Sequence, residues 1–475
     1  MPSLRPLPIR SQISYAILFS LGSILGIVGC GHRPYEEGLG LILDRSEPVH
    51  RRVQTINTIE LQGAQHAEAV AAMNVLVWSD RHPLELRLVA MDRLIEEQQE
   101  LFWSSANRWW SVVDDPEMAD AIGVRVVRDQ RKDVIPGLLR RWADGDRISV
   151  EASDRMEYQV LEQLVAPRSV HEALWRWVGG YGAHDQDTAR SAWIVLSRFE
   201  DESARRRGLI EFPGSGDLWG DLQSAASVLD YLPKTREGLT WLSALRSDET
   251  QWAFLVRRKQ SLSEDTARGW QVRHLGVLAS LPETLLHKKE QEIWTELREN
   301  LSEAQQVPRD LPSGVSVTLQ AEDEPPLVWP DLALAWSVRD AMNDPVVVQA
   351  WFEQADADLI DTGSEYGGVL TWDSDGAFLA KGFMPDRRQG DRKFFSSPAL
   401  IEAMYMGLAH YHFHAQQYDN AEFAGPGRGD FEFTEKLETH ALTLTFVSRD
   451  RINIDLAFPD GRLIDLGCVD RPIAD

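Results

Sequence analysis

Apolar residues recur at helical spacing through the middle of the chain. Leu84, Leu88, Met91 and Ile95 fall at i, i+4, i+7 and i+11, which puts them on one face of a helix. Pro83 stands at the start of that helix, where a missing N–H costs nothing. Asp115-Pro116 is a second start signal, with Asp as N-cap and Pro in the first turn, and Met118, Ile122 and Val126 follow at spacing four. Pro136 opens a third segment, with Leu138 and Trp142 again four apart. The same period predicts helices over 155–165, 187–200, 217–231, 236–258, 265–280 and 284–304, and no strand alternation interrupts them. Pro83 and Pro116 are spaced at about the 33-residue length of a two-helix repeat, whereas Pro136 follows sooner, so the period is not strict.

The pattern changes after residue 304. Pro308, Pro312, Pro325, Pro326 and Pro330 cannot continue a helix. Val315, Val317 and Leu319 alternate as a first strand. Residues 331–357 read as helix. Residues 366–372 and 376–383 read as a hairpin turning at Asp375-Gly376. Ser397-Pro398 starts a helix to about Leu408, and another covers 431–440. Leu442, Leu444 and Phe446 alternate, as do Ile452, Ile454 and Leu456, and Pro459-Asp460-Gly461 turns into a last strand at 462–466. The expected fold class is therefore multidomain. An all-α helical array over 65–304 comes first, then a Pro-rich linker over 305–330, then an α/β (α+β) domain over 331–475. Residues 30–64 form a tether and entry segment. Short helices with Asp or Pro at their starts resemble HEAT-type repeats, with an irregular all-α domain as the alternative. Stacked helix pairs leave a concave face free for a protein or peptide partner.

Charge and cysteine content narrow the function. Of 475 residues, 74 are acidic and 49 are Lys or Arg, for a formal charge of −25, which excludes a general nucleic-acid-binding role. Hydrophobic residues make up 43%, enough to build cores. Two cysteines, Cys30 and Cys468, exclude a disulfide scaffold and any zinc site built on several thiolates. The Trp109-Trp110 and Trp175-x-Trp177 pairs read as packing, with a ligand platform as the alternative.

The first thirty residues carry an address. Arg5 and Arg10 precede an apolar run from Ile13 to Gly29 that is short for a membrane span, as in an export signal. The run ends Ile27-Val28-Gly29-Cys30, which resembles the lipobox of bacterial lipoproteins. That resemblance implies a signal peptide over 1–29, cleavage before Cys30, and lipid chains such as palmitate on Cys30, which anchor at about 0.8 kcal/mol per buried CH₂. The alternative is an uncleaved membrane anchor. The expected location is the cell envelope, at the outer membrane or the outer face of the cytoplasmic membrane. Gly31, in place of an Asp after the lipidated Cys, favours the outer membrane.

Chemistry-bearing residues concentrate near the end. His410, His412 and His414 alternate, so on a strand they share one face. Imidazole suits a borderline divalent cation such as zinc, and a solvent-facing histidine row is the alternative. The three span about 13 Å at roughly 3.3 Å per residue, so only neighbours in the row can hold one ion. Upstream stands Glu365-Tyr366-Gly367-Gly368, and downstream a Gly-rich run, Gly425 to Gly429, reaches Asp430. An acid before Gly-Gly, a His-x-His strand, then a Gly-rich approach to Asp resembles the JAB/MPN zinc metallopeptidases. The resemblance covers roughly 331–470.

It implies Zn²⁺, one per chain, held by His412, His414 and Asp430, with Glu365 as general base in peptide or isopeptide hydrolysis. Asp419 is a second candidate for the carboxylate ligand. His410 would orient a ligand or replace one. Gly427 stands where the family has Ser, and Arg428 or the loop's N–H groups would have to supply that donor. Ala415 replaces the family's Pro. Three functions follow: a lipid-anchored zinc peptidase, an inactive JAB-like binding module, or a scaffold lipoprotein. Family members often cleave beside ubiquitin-like tails, a substrate at odds with the export signal.

Overall fold

The computed structural model describes residues 40–473, apart from 60–65, 146–151, 183–184, 230, 264–265, 267–268, 303–315, 318–326, 374–375 and 387–393. The leader and Cys30 lie outside the described residues, as does the alternation at Val315 and Leu319. No helix among the described residues is long and apolar enough to cross a membrane. An all-α region is followed by a mixed sheet with helices, the architecture expected from the sequence.

The described residues divide into two compact units at Trp219/Gly220. In the first unit α-helices run from Val49–Thr58 to Glu202–Glu211. Asp115 caps Pro116–Arg128 by accepting from the Glu117 and Met118 amides, and Met118, Ile122 and Val126 are buried. Leu84–Glu97 is a helix, but its buried face is Leu86, Arg87, Ala90, Met91 and Leu94. Of the expected stripe only Met91 is fully buried. The rotation has a physical cause. Arg87 is drawn inward to Asp80 at 2.8 Å and Asp115 at 3.2 Å, and its Nε donates to the Val77 carbonyl. Helices at Val170–Val178 and Glu202–Glu211 were not foreseen. Trp110 and Trp175 are core residues, and Trp175 stacks on Phe212 at 5.2 Å.

The second unit takes in helices that the sequence assigned to the array. Expected helix 236–258 is two, Arg236–Ser247 and Glu249–Gln260, because Asp248 caps the second. Of the described residues in expected helix 265–280, those from Val272 are helical, and within 284–304 the described residues form two helices, Glu283–Leu286 and Glu290–Ser302. One hydrophobic core joins these helices to the sheet, from Ala225 to Val469. Tyr231 donates to Glu438 at 2.7 Å, Trp241 packs on Tyr405, and Gly276 lies so close to the Gly407 carbonyl that no Cβ would fit. The Pro-rich stretch is thus not where the compact units divide.

Among the described residues the sheet has seven strands: β1 (Ser316–Val317), β2 (Gly367–Trp372), β3 (Phe378–Phe383), β4 (Ala409–His414), β5 (Ala441–Ser448), β6 (Arg451–Ala457) and β7 (Arg462–Asp470). Their order is β1-β7-β6-β5-β4-β2-β3. β4 runs parallel to β5 and antiparallel to β2. From residue 329 onward the described α-helices are α1 (Trp329–Ala341), α2 (Pro345–Ile360), α3 (Pro398–Met404) and α4 (Arg428–Leu437), which join the earlier helices on the sheet. The expected single helix 331–357 is two, because Asp344-Pro345 ends α1 and caps α2.

A buried ionic cluster ties α1 to its surroundings. Asp331, fully buried, meets Arg273 at 3.0 Å, His274 Nε2 at 2.6 Å and Arg462 at 3.4 Å. Burial alone would raise the Asp331 pKa, but Arg273 and His274 outweigh it and hold the carboxyl well below its ordinary range. His274 Nδ1 accepts from the Gln271 amide at 3.0 Å, so this imidazole is neutral and donates from Nε2. Burial, with Arg273 beside it, pushes His274 down to about 4.

His274 therefore stays neutral when folded and protonates on unfolding, where its pKa is about 6.5. Between those values the unfolded chain binds more protons, so stability falls as pH is lowered from about 6.5 to about 4. Urea unfolding across that range should show the decline. His274→Gln should flatten part of it. A slope unchanged by His274→Gln would contradict the assignment.

Candidate metal centre

β4 lies between β2 and β5, so its side chains must alternate between the two faces of the sheet. Tyr411 and Phe413 take one face, where Tyr411 packs edge-on to Trp351 and its hydroxyl donates to Gln354 at 2.8 Å. His410, His412 and His414 take the other. The Gly-Gly pair of β2 makes room for both. A Cβ on Gly367 would come within 2.7 Å of the Phe394 ring, which stacks on His412 at 6.0 Å. A Cβ on Gly368 would come within 2.4 Å of the Tyr411 hydroxyl and 2.3 Å of the Lys381 carbonyl. The requirement is lateral room, since neither residue has a positive φ.

Three separate stretches bring four functional groups together. Glu365 comes from the loop after α2. His412 and His414 end β4. Asp430 sits in the first turn of α4, on the crossover from β4 to β5. Glu365, His412 and His414 offer ligand atoms all within 4.8 Å of one another. His412 Nε2 lies 3.4 Å from Asp430 Oδ1. His414 Nε2 lies 3.8 Å from Asp430 Oδ2 and 3.8 Å from Glu365 Oε1. The site sits at the carboxyl end of β4, where open α/β sheets commonly bind ligands.

Backbone groups aim these side chains. His414 Nδ1 donates to the Phe423 carbonyl at 2.9 Å, which leaves Nε2 unprotonated and directed at the two carboxylates. The Gly427 amide donates to Asp430 Oδ2 at 2.8 Å. Asp358, buried on α2, accepts from the Tyr366 amide at 2.7 Å and so pins the loop that carries Glu365. Asn420 donates to the His414 carbonyl at 3.1 Å and holds the chain leaving β4.

The electrostatics call for a cation. Burial disfavours charge on His412, yet Asp430 and Glu365 outweigh it and push its pKa up to about 9. Burial raises Asp430, but His412 more than reverses this and holds it well below the usual carboxylate range. Burial and the neighbouring His412 lower His414. A proton on His412 thus partly offsets the buried Glu365 and half-buried Asp430 carboxylates, and a divalent ion would do so more fully.

The donor set fits such an ion. A tetrahedral zinc with N and O ligands at about 2.0–2.1 Å sets donor–donor edges of about 3.3–3.4 Å; the His412–Asp430 spacing of 3.4 Å matches, and the 3.8 Å spacing of His414 to Asp430 needs a small closure. His412 Nε2 is also fully buried without a well-aligned hydrogen bond among the described residues.

The remaining candidates lie elsewhere. His410 is buried on the same face, packs on Phe433 at 5.0 Å and bonds the His440 backbone, and burial pushes it down to about 3. It is not one of the converging donors. Asp419 is exposed and does not join the cluster. Arg428 pairs with Glu432 at 2.8 Å and is 86% exposed, so it faces solvent rather than the donors.

Asp358 and Phe423 were not foreseen. Asp358 had a signal, because a carboxylate follows Trp351 and Ala355 on the buried stripe of α2. Phe423 acts through its carbonyl, for which no sequence signal exists. Compared with protein-family models, curated proteins and solved structures, the chain matches none, so its functional reading rests on the site.

Gly368→Ala should force the backbone of β3 or the ring of Tyr411 to move. The expected cost is about 1–3 kcal/mol in urea unfolding. A neutral Gly368→Ala would contradict the account of the Gly-Gly pair.

Proposed function

We propose that this protein is a zinc-dependent hydrolase of peptide or isopeptide bonds, of the JAB/MPN kind. In this reading it is tethered to a membrane by lipid on Cys30, and its helical array, HEAT-like in the sequence, presents a protein or peptide partner. One observation carries the hydrolase: His412 and His414 converge with two carboxylates from separate stretches, Asp430 at 3.4 and 3.8 Å from the two imidazoles and Glu365 with a ligand atom within 4.8 Å of both. The tether rests on the lipobox-like sequence alone.

His412, His414 and Asp430 would hold the ion and leave a fourth position open. Bound there, zinc supplies a Lewis acid that brings a water's pKa to about 7 and polarises a carbonyl. Glu365 accepts the proton of the attacking water on a carboxylate oxygen and delivers it to the leaving amine. Its position beside His414 is within reach of that task. The Phe423 carbonyl keeps His414 Nε2 directed inward, and Asp358 keeps the Glu365 loop in place.

The full chain, purified without chelator and supplied with zinc, should carry one zinc by elemental mass spectrometry. His412→Ala/His414→Ala should carry none. Glu365→Gln should keep the metal and lose peptide hydrolysis, whereas Asp430→Asn should lose the metal. A folded parent without metal would end this reading.

A second reading, an inactive metal-holding module, is favoured by one observation. No hydroxyl stands at 427, and Arg428 is turned to solvent. The nearest atom to a Cβ built on Gly427 is Asp430 Oδ2 at 3.6 Å, so a serine fits. One oxyanion donor is worth about a hundredfold in rate. Gly427→Ser should therefore raise turnover by about that factor, measured on a fluorogenic peptide. A zinc-loaded parent and a Gly427→Ser variant that both lack turnover would favour the binding module.

A further inference from the structure

The two imidazoles of the metal centre are not equally supported. A neutral imidazole that offers Nε2 to an ion carries its proton on Nδ1, and that N–H needs an acceptor. His414 has one in the Phe423 carbonyl. His412 Nδ1 makes no hydrogen bond with the described residues, while Nε2 faces Asp430 at 3.4 Å. Its surroundings narrow the choice of a side-chain acceptor. On the β2 side its register partner is Gly367, which has no side chain, and Phe394, the ring stacked on it, has no polar atom.

On the β5 side the register partner is Thr443. The pairing puts its side chain on the same face as His412, one strand spacing of about 4.8 Å away. Thr443 is fully buried, and its Oγ1 has no hydrogen-bond partner among the described residues. A valine would fill the same space without that desolvation cost, so packing does not account for the hydroxyl. The next residue in the row, on β6, is Asp455, also fully buried. Its carboxylate can accept the hydroxyl proton, as it accepts from Asn453 Nδ2 at 2.8 Å. His410 Nδ1 is a second unpartnered acceptor on this face, but it lies two residues along β4, about 7 Å off at roughly 3.3 Å per residue.

We propose, on the reading of this cluster as a metal centre, that Thr443 is its positioning residue: the hydroxyl accepts from His412 Nδ1–H and donates to Asp455. Three neighbouring strands then carry a carboxylate–hydroxyl–imidazole chain that ends at the ion. The chain fixes the tautomer that leaves Nε2 free for metal. A threonine hydroxyl can make both bonds at once, since it has one proton to give and two lone pairs. Thr445, in the next row beside His414, is just as buried, and its hydroxyl is just as unpaired among the described residues. Its neighbour already donates to Phe423, so Thr445 is the natural control.

The test is the zinc affinity of the full chain, measured by competition with a chromophoric chelator, beside urea unfolding of the metal-free protein. Thr443→Val should bind zinc about tenfold or more weakly, the usual effect of losing such a support. Its metal-free fold should be as stable as the parent's or more so, because a buried unpaired hydroxyl is gone. Thr443→Ser, which keeps the hydroxyl and loses the methyl, should show the reverse: parent-like zinc affinity and lower stability. Thr445→Val should leave zinc affinity unchanged. Zinc held equally well by the parent and Thr443→Val overturns the proposal, as does an equal loss in Thr445→Val or a Thr443→Ser variant as weak as Thr443→Val. So does a Thr443→Val variant that loses stability together with affinity, because the hydroxyl then serves the fold. Those results leave the metal centre standing, whereas a folded parent that holds no zinc overturns the centre and this role with it.

Discussion

The alternation of side chains along β4 is the constraint on which the metal centre depends. Hydrogen-bonded on one edge to β2 and on the other to β5, the strand cannot rotate. His412 and His414 therefore share a face, while Tyr411 and Phe413 anchor the opposite face in the core. A slip of one residue would bury the imidazoles among the core apolar groups and expose the aromatics, so hydrophobic packing on one side enforces the register of the site on the other. Gly367 and Gly368 serve the same constraint, since each lacks the Cβ that would collide with a neighbour on its own face.

Two acidic clusters, one fully buried and one partly exposed, solve one electrostatic problem in different ways. Asp331 is neutralised by Arg273 and Arg462, cations that cannot give up their protons, and His274 beside it is held neutral by a backbone amide. That arrangement is permanent and joins α1 to the rest of its unit. Glu365 and Asp430 instead face imidazoles, whose positive charge is a removable proton. A divalent ion can take the place of that proton without leaving an arginine stranded. The distinction between guanidinium and imidazole is what separates a structural cluster from a candidate metal centre here.

Positions within α4 show how one turn of helix assigns roles. Asp430 and Arg428 are two residues apart in a Gly-rich approach, and both looked suited to the site. Asp430, in the first turn, is pulled back by the Gly427 amide towards His412. Arg428 points outward and pairs with Glu432 one turn on. Asp419, the other acid considered, is carried away by the exposed loop after β4. Sequence spacing could nominate all three, but only the path of the crossover chose among them.

The sequence by itself determined the local features. Apolar period, Asp caps and prolines sufficed for the order of most helices and for the strands of the hairpin and of the final meander, because those signals act within a few residues. His-x-His on a strand carried its own geometry, which is why His412 and His414 could be paired without coordinates. The tertiary structure decided what depends on distant partners. It rotated the buried face of Leu84–Glu97, since Arg87 is claimed by Asp80 and Asp115. It gave the helices after Gly220 to the core of the sheet. It also supplied the Phe423 carbonyl and Asp358 as supports of the centre, because a backbone carbonyl has no residue identity and a buried carboxylate acquires its role only from the loop packed against it.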